Sequence, residues 1–277
     1  MEEIKIYNED CLETIRRFEA ENKKVNIVLT SPPYNTGRAS FSEKALKNHE
    51  GRYDIYTDTM TQEEYIEWII SLFNRLDTIL HKNGVILWNM SYGSDFTVNK
   101  EGVSLLWLVI AEIINKSKFL VADRIIWKKP SVLPNNVSVN KLTRIVEDIF
   151  VFCRKDEYNT FQCNKKPTQK NEKGQQFYKP IYNYIEAPNN DGPCSLNKAT
   201  YSSSLCEQLL NIYATKGDSI YDPFMGSGTT AVACKRRGLC CYGSELSYEQ
   251  VLYAEARIKG KIDTQNINYN GNSLFNL

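Results

Sequence analysis

The sequence predicts an α/β fold in which helices alternate with the strands of a largely parallel sheet. Short apolar runs, the pattern of buried strands, recur at residues 25–29, 84–89, 124–127, 149–152, 219–222 and 240–243. Helical patterns lie between them. With 277 residues and 42% hydrophobic content, the chain can bury a large core, which we expect to form one domain with a smaller insertion.

The first of these apolar runs leads into the hexapeptide Thr30-Ser31-Pro32-Pro33-Tyr34-Asn35. Two consecutive prolines prevent the strand from continuing and also prevent a helix. The Ser31 hydroxyl and the Pro32 carbonyl can accept hydrogen bonds from an exocyclic amino group, and Tyr34 offers a flat face for a base. The pattern indicates a site that holds an amine, although proline-terminated strands are also common in α/β proteins.

The next segments alternate loop and helix. Residues 38–60 are polar and lack periodicity, which predicts a long loop beside the strand. Thr61 and Glu64 have the spacing of a capping box that opens an amphipathic helix extending to residue 80. Residues 103–115 and 205–213 predict two more helices.

A basic segment follows the fourth apolar run, although the net charge of the whole chain is only +1. Lysines can contact phosphates, glutamines can contact base edges and aromatic rings can stack on bases. We interpret the segment as a DNA-recognition insertion; the alternative is a solvated loop that binds nothing. The lysines concerned are Lys165, Lys166, Lys170, Lys173 and Lys179.

A second motif spans residues 218–230 and predicts a strand, a glycine turn and the start of a helix. Gly226 and Gly228 permit positive φ and close approach of a ligand, and the first amides of the helix favour an anionic group. Gly238 is expected to end this helix. The segment lacks the Gly-Lys-Ser/Thr of a Walker phosphate loop.

The strand at residues 240–243 is followed by Glu245, at the position where nucleotide-binding folds bind ribose hydroxyls. Ser247 and Gln250 have the spacing of a helix cap. Because Ser247 already supplies the cap, we expect the Glu245 carboxylate to face a ligand.

The two motifs together resemble those of the DNA amino-methyltransferases, which methylate N4 of cytosine or N6 of adenine with S-adenosylmethionine. The tetrapeptide at residues 31–34 precedes the loop at residues 222–230, and this order is similar to that of the beta class. The resemblance implies a Rossmann-like methyltransferase fold with a circularly permuted motif order. It divides the chain into a catalytic half (residues 1–154), the recognition insertion (155–197) and a cofactor-binding half (198–277).

The resemblance also assigns roles to residues. It implies that Asp10 receives the adenine amino group of the cofactor, although Asp10 can equally cap the helix that follows. Thr200 lies in a segment similar to the one that precedes the family's cofactor loop, with Ser202 in place of the usual proline. The implied catalytic residues are Ser31, Pro32, Pro33 and Tyr34. The implied cofactor-binding residues are Asp10, Cys11, Thr30, Thr200, Asp222, Pro223, Phe224, Gly226, Ser227, Gly228, Thr229, Thr230, Glu245 and Leu246.

The resemblance implies that a base is flipped out of duplex DNA and methylated directly, without a covalent enzyme intermediate. Serine at the first tetrapeptide position accompanies cytosine N4 more often than adenine N6, so Ser31 favours cytosine. Methylation of RNA or a protein amide, and binding without turnover, are alternatives. A cytosine-C5 enzyme could use Pro193-Cys194, but this pair precedes the cofactor loop instead of following it.

The remaining expectations concern partners and compartment. The eight cysteines lack Cys-x-x-Cys spacing and only two histidines are present, so neither a metal site nor a disulfide framework is expected. Without a signal peptide pattern or a membrane-spanning run, we expect a cytoplasmic protein. The resemblance implies double-stranded DNA as partner, a cognate restriction endonuclease, and a monomer or homodimer.

Overall fold

The computed structural model describes residues 3–35, 60–91, 104–132, 134–136, 139–140, 142–192, 194, 196–197 and 200–262. The strands are β1 (Ile4–Tyr7), β2 (Val25–Thr30), β3 (Leu80–Met90), β4 (Phe119–Lys128), β5 (Val146–Arg154), β6 (Pro167–Lys170), β7 (Gln176–Tyr178), β8 (Tyr184–Glu186), β9 (Ser219–Asp222) and β10 (Cys240–Ser244). The helices are α1 (Cys11–Ala20), α2 (Gln62–Ile79), α3 (Leu105–Lys116), α4 (Ser203–Tyr213), α5 (Thr229–Arg237) and α6 (Tyr248–Ile258). The loop predicted at residues 38–60 lies outside the described residues except for Met60.

Eight strands form one sheet in the order β1-β10-β9-β2-β3-β5-β4-β8. All neighbouring pairs are parallel except those of β5, which runs antiparallel to both β3 and β4. The predicted α/β class with a largely parallel sheet is therefore confirmed. Strands β6 and β7 form a separate antiparallel hairpin, which the sequence patterns did not predict.

Helices cover both faces of the sheet, and alternate residues of each central strand supply the two cores. Val28 of β2 packs with α1, α2 and α3 on one face. Its neighbours Ile27 and Leu29 pack with α4 and α5 on the other. Because β2 is buried on both faces, its sequence is apolar apart from Asn26 and the terminal Thr30.

The predicted helix boundaries have the expected chemistry. Thr61 and Glu64 form a capping box at the start of α2. Asp10 accepts the Leu12 N–H at the start of α1, and Ser247 accepts the Gln250 N–H at the start of α6. Gly238 ends α5 in the left-handed conformation, with φ of 67°.

Gly226 and Gly228 both adopt positive φ, 53° and 82°, as the motif predicts. At Gly228 the backbone also packs tightly against α6, because an added Cβ would lie 2.6 Å from the Cβ of Ala254. Only glycine therefore lets α5 begin where it does.

We expect Gly228→Ala to lower the free energy of unfolding by about 1–3 kcal/mol more than Gly217→Ala. Both positions have positive φ, but nothing lies within 4 Å of a Cβ added at Gly217. Urea denaturation of the two variants isolates the contact with Ala254. Equal losses of unfolding free energy in the two variants would show that α6 moves to accommodate the added methyl group without loss of stability.

Candidate active site

A cavity lies across the carboxyl ends of four adjacent parallel strands, β1, β10, β9 and β2. Such an edge is where open α/β sheets bind ligands. The residues of the two predicted motifs meet here although they are far apart in the chain. Those that line the cavity are Asp10, Cys11, Ser31, Pro33, Thr200, Pro223, Phe224, Gly226, Ser227, Thr229, Glu245 and Leu246.

Asp222 joins the two motifs behind the cavity. Its Oδ1 accepts the Thr30 hydroxyl at 2.6 Å and the Phe224 N–H at 3.0 Å. Its Oδ2 accepts the hydroxyls of Thr230 at 2.6 Å and Tyr201 at 3.2 Å. Burial raises the pKa of Asp222, and the hydrogen bonds from Thr230 and Thr30 oppose this rise. The carboxylate therefore holds β2, the glycine loop and α5 together.

Six of the predicted site residues, Asp222 among them, lie behind the wall of the cavity and not in it. They are buried and do not line the cavity: Thr30, Pro32, Tyr34, Asp222, Gly228 and Thr230. The motif pattern alone could not separate these residues from those that face a ligand, because both kinds are contiguous in sequence.

Glu245 braces the glycine loop from the far side of the cavity. Its Oε2 accepts the Gly226 N–H at 2.8 Å, and its Oε1 accepts the Ser247 N–H at 2.9 Å. Carboxylate oxygens accept hydrogen bonds, so the chemistry of this side chain suits ligand hydroxyl groups. Glu245 is thus both part of the loop's support and part of the cavity wall.

The tetrapeptide is held by its own hydrogen bonds. Tyr65 of α2 donates its hydroxyl to the Pro33 carbonyl at 2.7 Å. Ser31 Oγ lines the cavity and donates to Tyr34 Oη at 2.9 Å. The Tyr34 ring is only 7% exposed, so in this structure it offers no open face to a base. The predicted stacking role of Tyr34 stays a prediction.

The cavity also has walls that the sequence patterns did not predict. Trp68 of α2 packs against Phe224 with ring centroids 5.5 Å apart, giving the cavity an aromatic side. Glu9 lies beside Asp10, and a hydrogen bond from Arg17 lowers the pKa of its carboxyl group. Trp68 falls within an ordinary amphipathic pattern, so no local signal distinguishes it from a core residue.

A strap of residues 187–192 follows β8, and its Asp191 lies beside the glycine loop. Arg257 of α6 donates to the Ser227 carbonyl at 2.7 Å and pairs with Asp191 of the strap at 2.7 Å. Asp191 also accepts the N–H and hydroxyl of Ser203, at 2.8 and 3.0 Å. The Arg257 side chain is 6% exposed, so this pair fixes the loop from within the protein.

The predicted DNA-binding lysines lie on and around the β6–β7 hairpin, and all of them are exposed. The hairpin is anchored through Asn164, whose amide group donates to the carbonyls of Ala214 and Asn211 at 2.7 and 3.1 Å. These carbonyls lie at the end of α4 remote from the cavity, and an 11-residue helix is about 16 Å long. Strand β8, also within the predicted insertion, pairs with β4 in the main sheet.

The side chains and backbone groups that line the cavity fit S-adenosylmethionine. Carboxylates of Asp10 and Glu245 suit amino and hydroxyl groups, the aromatic side suits a purine ring, and the N-terminal turn of α5 suits a carboxylate.

Among the described residues, no group of three or more His, Cys, Asp or Glu side chains is arranged to bind a metal. No helix in the described part of the chain combines the length and apolar character needed to cross a bilayer.

Comparisons with known proteins identify the family of the chain. The family described as DNA methylase, N6_N4_Mtase, matches residues 25–256. The type II methyltransferase M.BglII of Bacillus subtilis is 25% identical over 279 residues, covering 95% of this chain and 71% of the relative. The crystal structure of the M1.HpyAVI–SAM complex superposes with a TM-score of 0.60 and 25% identity, covering 92% and 98% of the two chains. The cytosine-N4-specific PvuII DNA methyltransferase superposes with a TM-score of 0.64 and 17% identity, covering 98% and 88%.

The chain belongs to the N6/N4 DNA methylase family, since the family match spans most of its length. It is an amino-methyltransferase of the restriction-modification type with the mixed α/β fold of these enzymes.

We expect Arg257→Gln to lower the free energy of unfolding by about 3 kcal/mol, because it leaves Asp191 without its ion-pair partner. Lys259→Gln, at the C-cap of the same helix, is the matched control; its pair with Glu255 is exposed and the loss of this pair is expected to cost less than about 1 kcal/mol. Urea denaturation measures both. A similar, small loss in the two variants would contradict the bracing role of Arg257.

Proposed function

We propose that the protein transfers a methyl group from S-adenosylmethionine to the exocyclic N4 of cytosine flipped out of double-stranded DNA. The observation that carries this proposal is the position of Ser31. Ser31 lines the same cavity as the cofactor loop, and its hydroxyl proton is directed to Tyr34. Lone pairs of the Ser31 oxygen are thereby available to accept a hydrogen bond from an amino group.

The chemistry follows from the weakness of base amines as nucleophiles. Their lone pairs are delocalised into the ring, so an acceptor at Ser31 Oγ is needed to turn the nitrogen lone pair out of the ring plane. The Pro32 carbonyl is the proposed second acceptor, and because Pro32 does not line the cavity, it must become accessible when the base binds. S-adenosylmethionine supplies a methyl group on a positively charged sulfur. The protein's contribution is to hold the amine in line with that methyl group, with no covalent bond to the enzyme.

The remaining site residues receive proposed roles from their positions. Glu245 binds the ribose hydroxyls, Asp10 receives the adenine amino group, and the first turn of α5 faces the methionine carboxylate. Phe224 and Trp68, whose rings contact each other, together form one aromatic wall for the adenine ring. The buried residues Thr30, Asp222 and Thr230 act indirectly, by fixing the loop that these groups share.

Cytosine is proposed over adenine because serine occupies the first position of the tetrapeptide. Adenine N6 is the second candidate, since an amino group of either base can donate to Ser31. We further propose that the enzyme is paired with a restriction endonuclease of the same site and works in the cytoplasm as a monomer or homodimer. The proposed parts of the chain are a catalytic half (residues 1–154), a recognition insertion (155–197) and a cofactor-binding half (198–277). The type II names of its relatives support the endonuclease pairing.

Incubation of the protein with S-adenosylmethionine and unmethylated DNA is expected to yield N4-methylcytosine, identified by mass spectrometry of the nucleosides. Ser31→Ala is expected to abolish the product, because the amine loses its acceptor. Ser204→Ala, a partly exposed serine of α4, is the control and should retain activity. N6-methyladenine would replace the cytosine assignment, and an active Ser31→Ala variant would refute the role of Ser31.

We propose that the lysines of the hairpin contact DNA phosphates, because all of them are exposed; the base of the hairpin itself lies away from the cavity. Substituting Lys170 and Lys173 together by Gln is expected to reduce DNA affinity and to lower the slope of log K against log salt by about 0.9 per lysine. Lys259 is an exposed lysine at the C-cap of α6, and Lys259→Gln should leave the slope unchanged. An unchanged slope in the hairpin variant would show that the hairpin does not contact DNA.

A further inference from the structure

A line of hydrogen bonds leads from Ser31 away from the cavity into the protein. Ser31 Oγ donates to Tyr34 Oη at 2.9 Å. Tyr34 Oη in turn lies 3.1 Å from Asn89 Oδ1 and 3.4 Å from Glu147 Oε2. The hydroxyl that would touch the substrate amine is therefore connected to a carboxylate through one tyrosine.

The orientation of this carboxylate is set by its neighbours. Glu147, near the start of β5, is 14% exposed in its side chain, and the Lys129 ammonium contacts its Oε1. Its Oε2 accepts from Asn89 Nδ2 at 3.3 Å. The same Asn89 amide donates to the Asp148 carbonyl at 3.2 Å, which fixes the Asn89 oxygen toward Tyr34. Oε2 is thus the carboxylate oxygen that faces the tyrosine.

Methyl transfer leaves the amine nitrogen with one proton too many, and this proton must be removed. When the N–CH3 bond forms, the electron pair of the S–CH3 bond goes to sulfur and the nitrogen becomes positively charged. A serine hydroxyl cannot keep an added proton at neutral pH, and Asn89 is an amide that does not take one up. Within this line of residues, Glu147 is the group with the chemistry to accept it.

We propose that Glu147 is the terminal acceptor of the substrate proton, acting through Tyr34 and Ser31. The proton leaves nitrogen for Ser31 Oγ, the serine proton moves to Tyr34 Oη, and the tyrosine proton moves to Glu147 Oε2. The N–H electron pair stays on nitrogen. The positive charge of the sulfonium and the negative charge of Glu147 are both lost, so the charges balance.

The inference rests on the proposed role of Ser31, and its experiment must be separable from that role. Tyr34→Phe removes the hydroxyl and keeps the aromatic ring, so any stacking on a base survives. Glu147→Gln removes the proton acceptor with little change in shape. Glu186→Gln is the control, since Glu186 of β8 is an exposed carboxylate that pairs with Lys128 of β4.

Single-turnover methylation of DNA is the measurement, with the KM for S-adenosylmethionine and the thermal unfolding midpoint measured beside it. Tyr34→Phe and Glu147→Gln are each expected to slow methyl transfer by about 100-fold. The double variant is expected to be no slower than the slower single variant, because both substitutions interrupt one relay. KM and the Glu186→Gln rate should match the wild type. The unfolding midpoint of Glu147→Gln should fall only as far as the loss of its pair with Lys129 requires, leaving the variant folded in the assay.

Wild-type rates in Glu147→Gln, or rate losses that multiply in the double variant, would overturn the relay. If these occur while Ser31→Ala is inactive, the relay fails and the proposed function stands. If the wild type methylates no DNA amine, or if Ser31→Ala is fully active, the proposed function itself fails, and the relay fails with it.

Discussion

The buried Asp222 carboxylate is the constraint on which the site depends. It stands between the strand that carries the tetrapeptide and the loop that shapes the cofactor cavity, and it accepts hydrogen bonds from both sides. A buried carboxylate is stable only when its oxygens are well supplied with donors. The geometry that satisfies Asp222 is therefore also the geometry that places Ser31 beside the glycine loop.

This constraint explains how motifs so distant in the chain form one site. Thr30 and Asp222 are 192 positions apart, yet β2 and β9 are neighbours in the sheet. Both strands point the same way, so their following loops emerge at one edge. The order of the motifs along the chain then has no effect on the cavity, and a permuted order can support the same chemistry.

Sequence patterns could predict the features that have local causes. The caps at Thr61 and Ser247 and the positive φ of Gly226 and Gly228 follow from neighbouring residues. The strand boundaries do not, since β4 begins at Phe119 and not at residue 124. The roles of Trp68, Arg257 and Glu147 could not be predicted, because each depends on contacts between distant segments. The same reason applies to the Tyr34 ring, whose burial is set by the folded chain.

The two carboxylates at the base of the site differ in a way that bears on their roles. Asp222 is 1% exposed and receives short hydrogen bonds from Thr30 and Thr230, both 2.6 Å, so its protonation would disrupt the frame around it. Among the described residues, Glu147 Oε2 accepts from Asn89 at 3.3 Å and from Tyr34 at 3.4 Å. Such long contacts leave this oxygen able to shorten a hydrogen bond and take up a proton. A carboxylate with short hydrogen bonds is suited to hold the site in place, and one with long contacts is suited to take part in proton transfer.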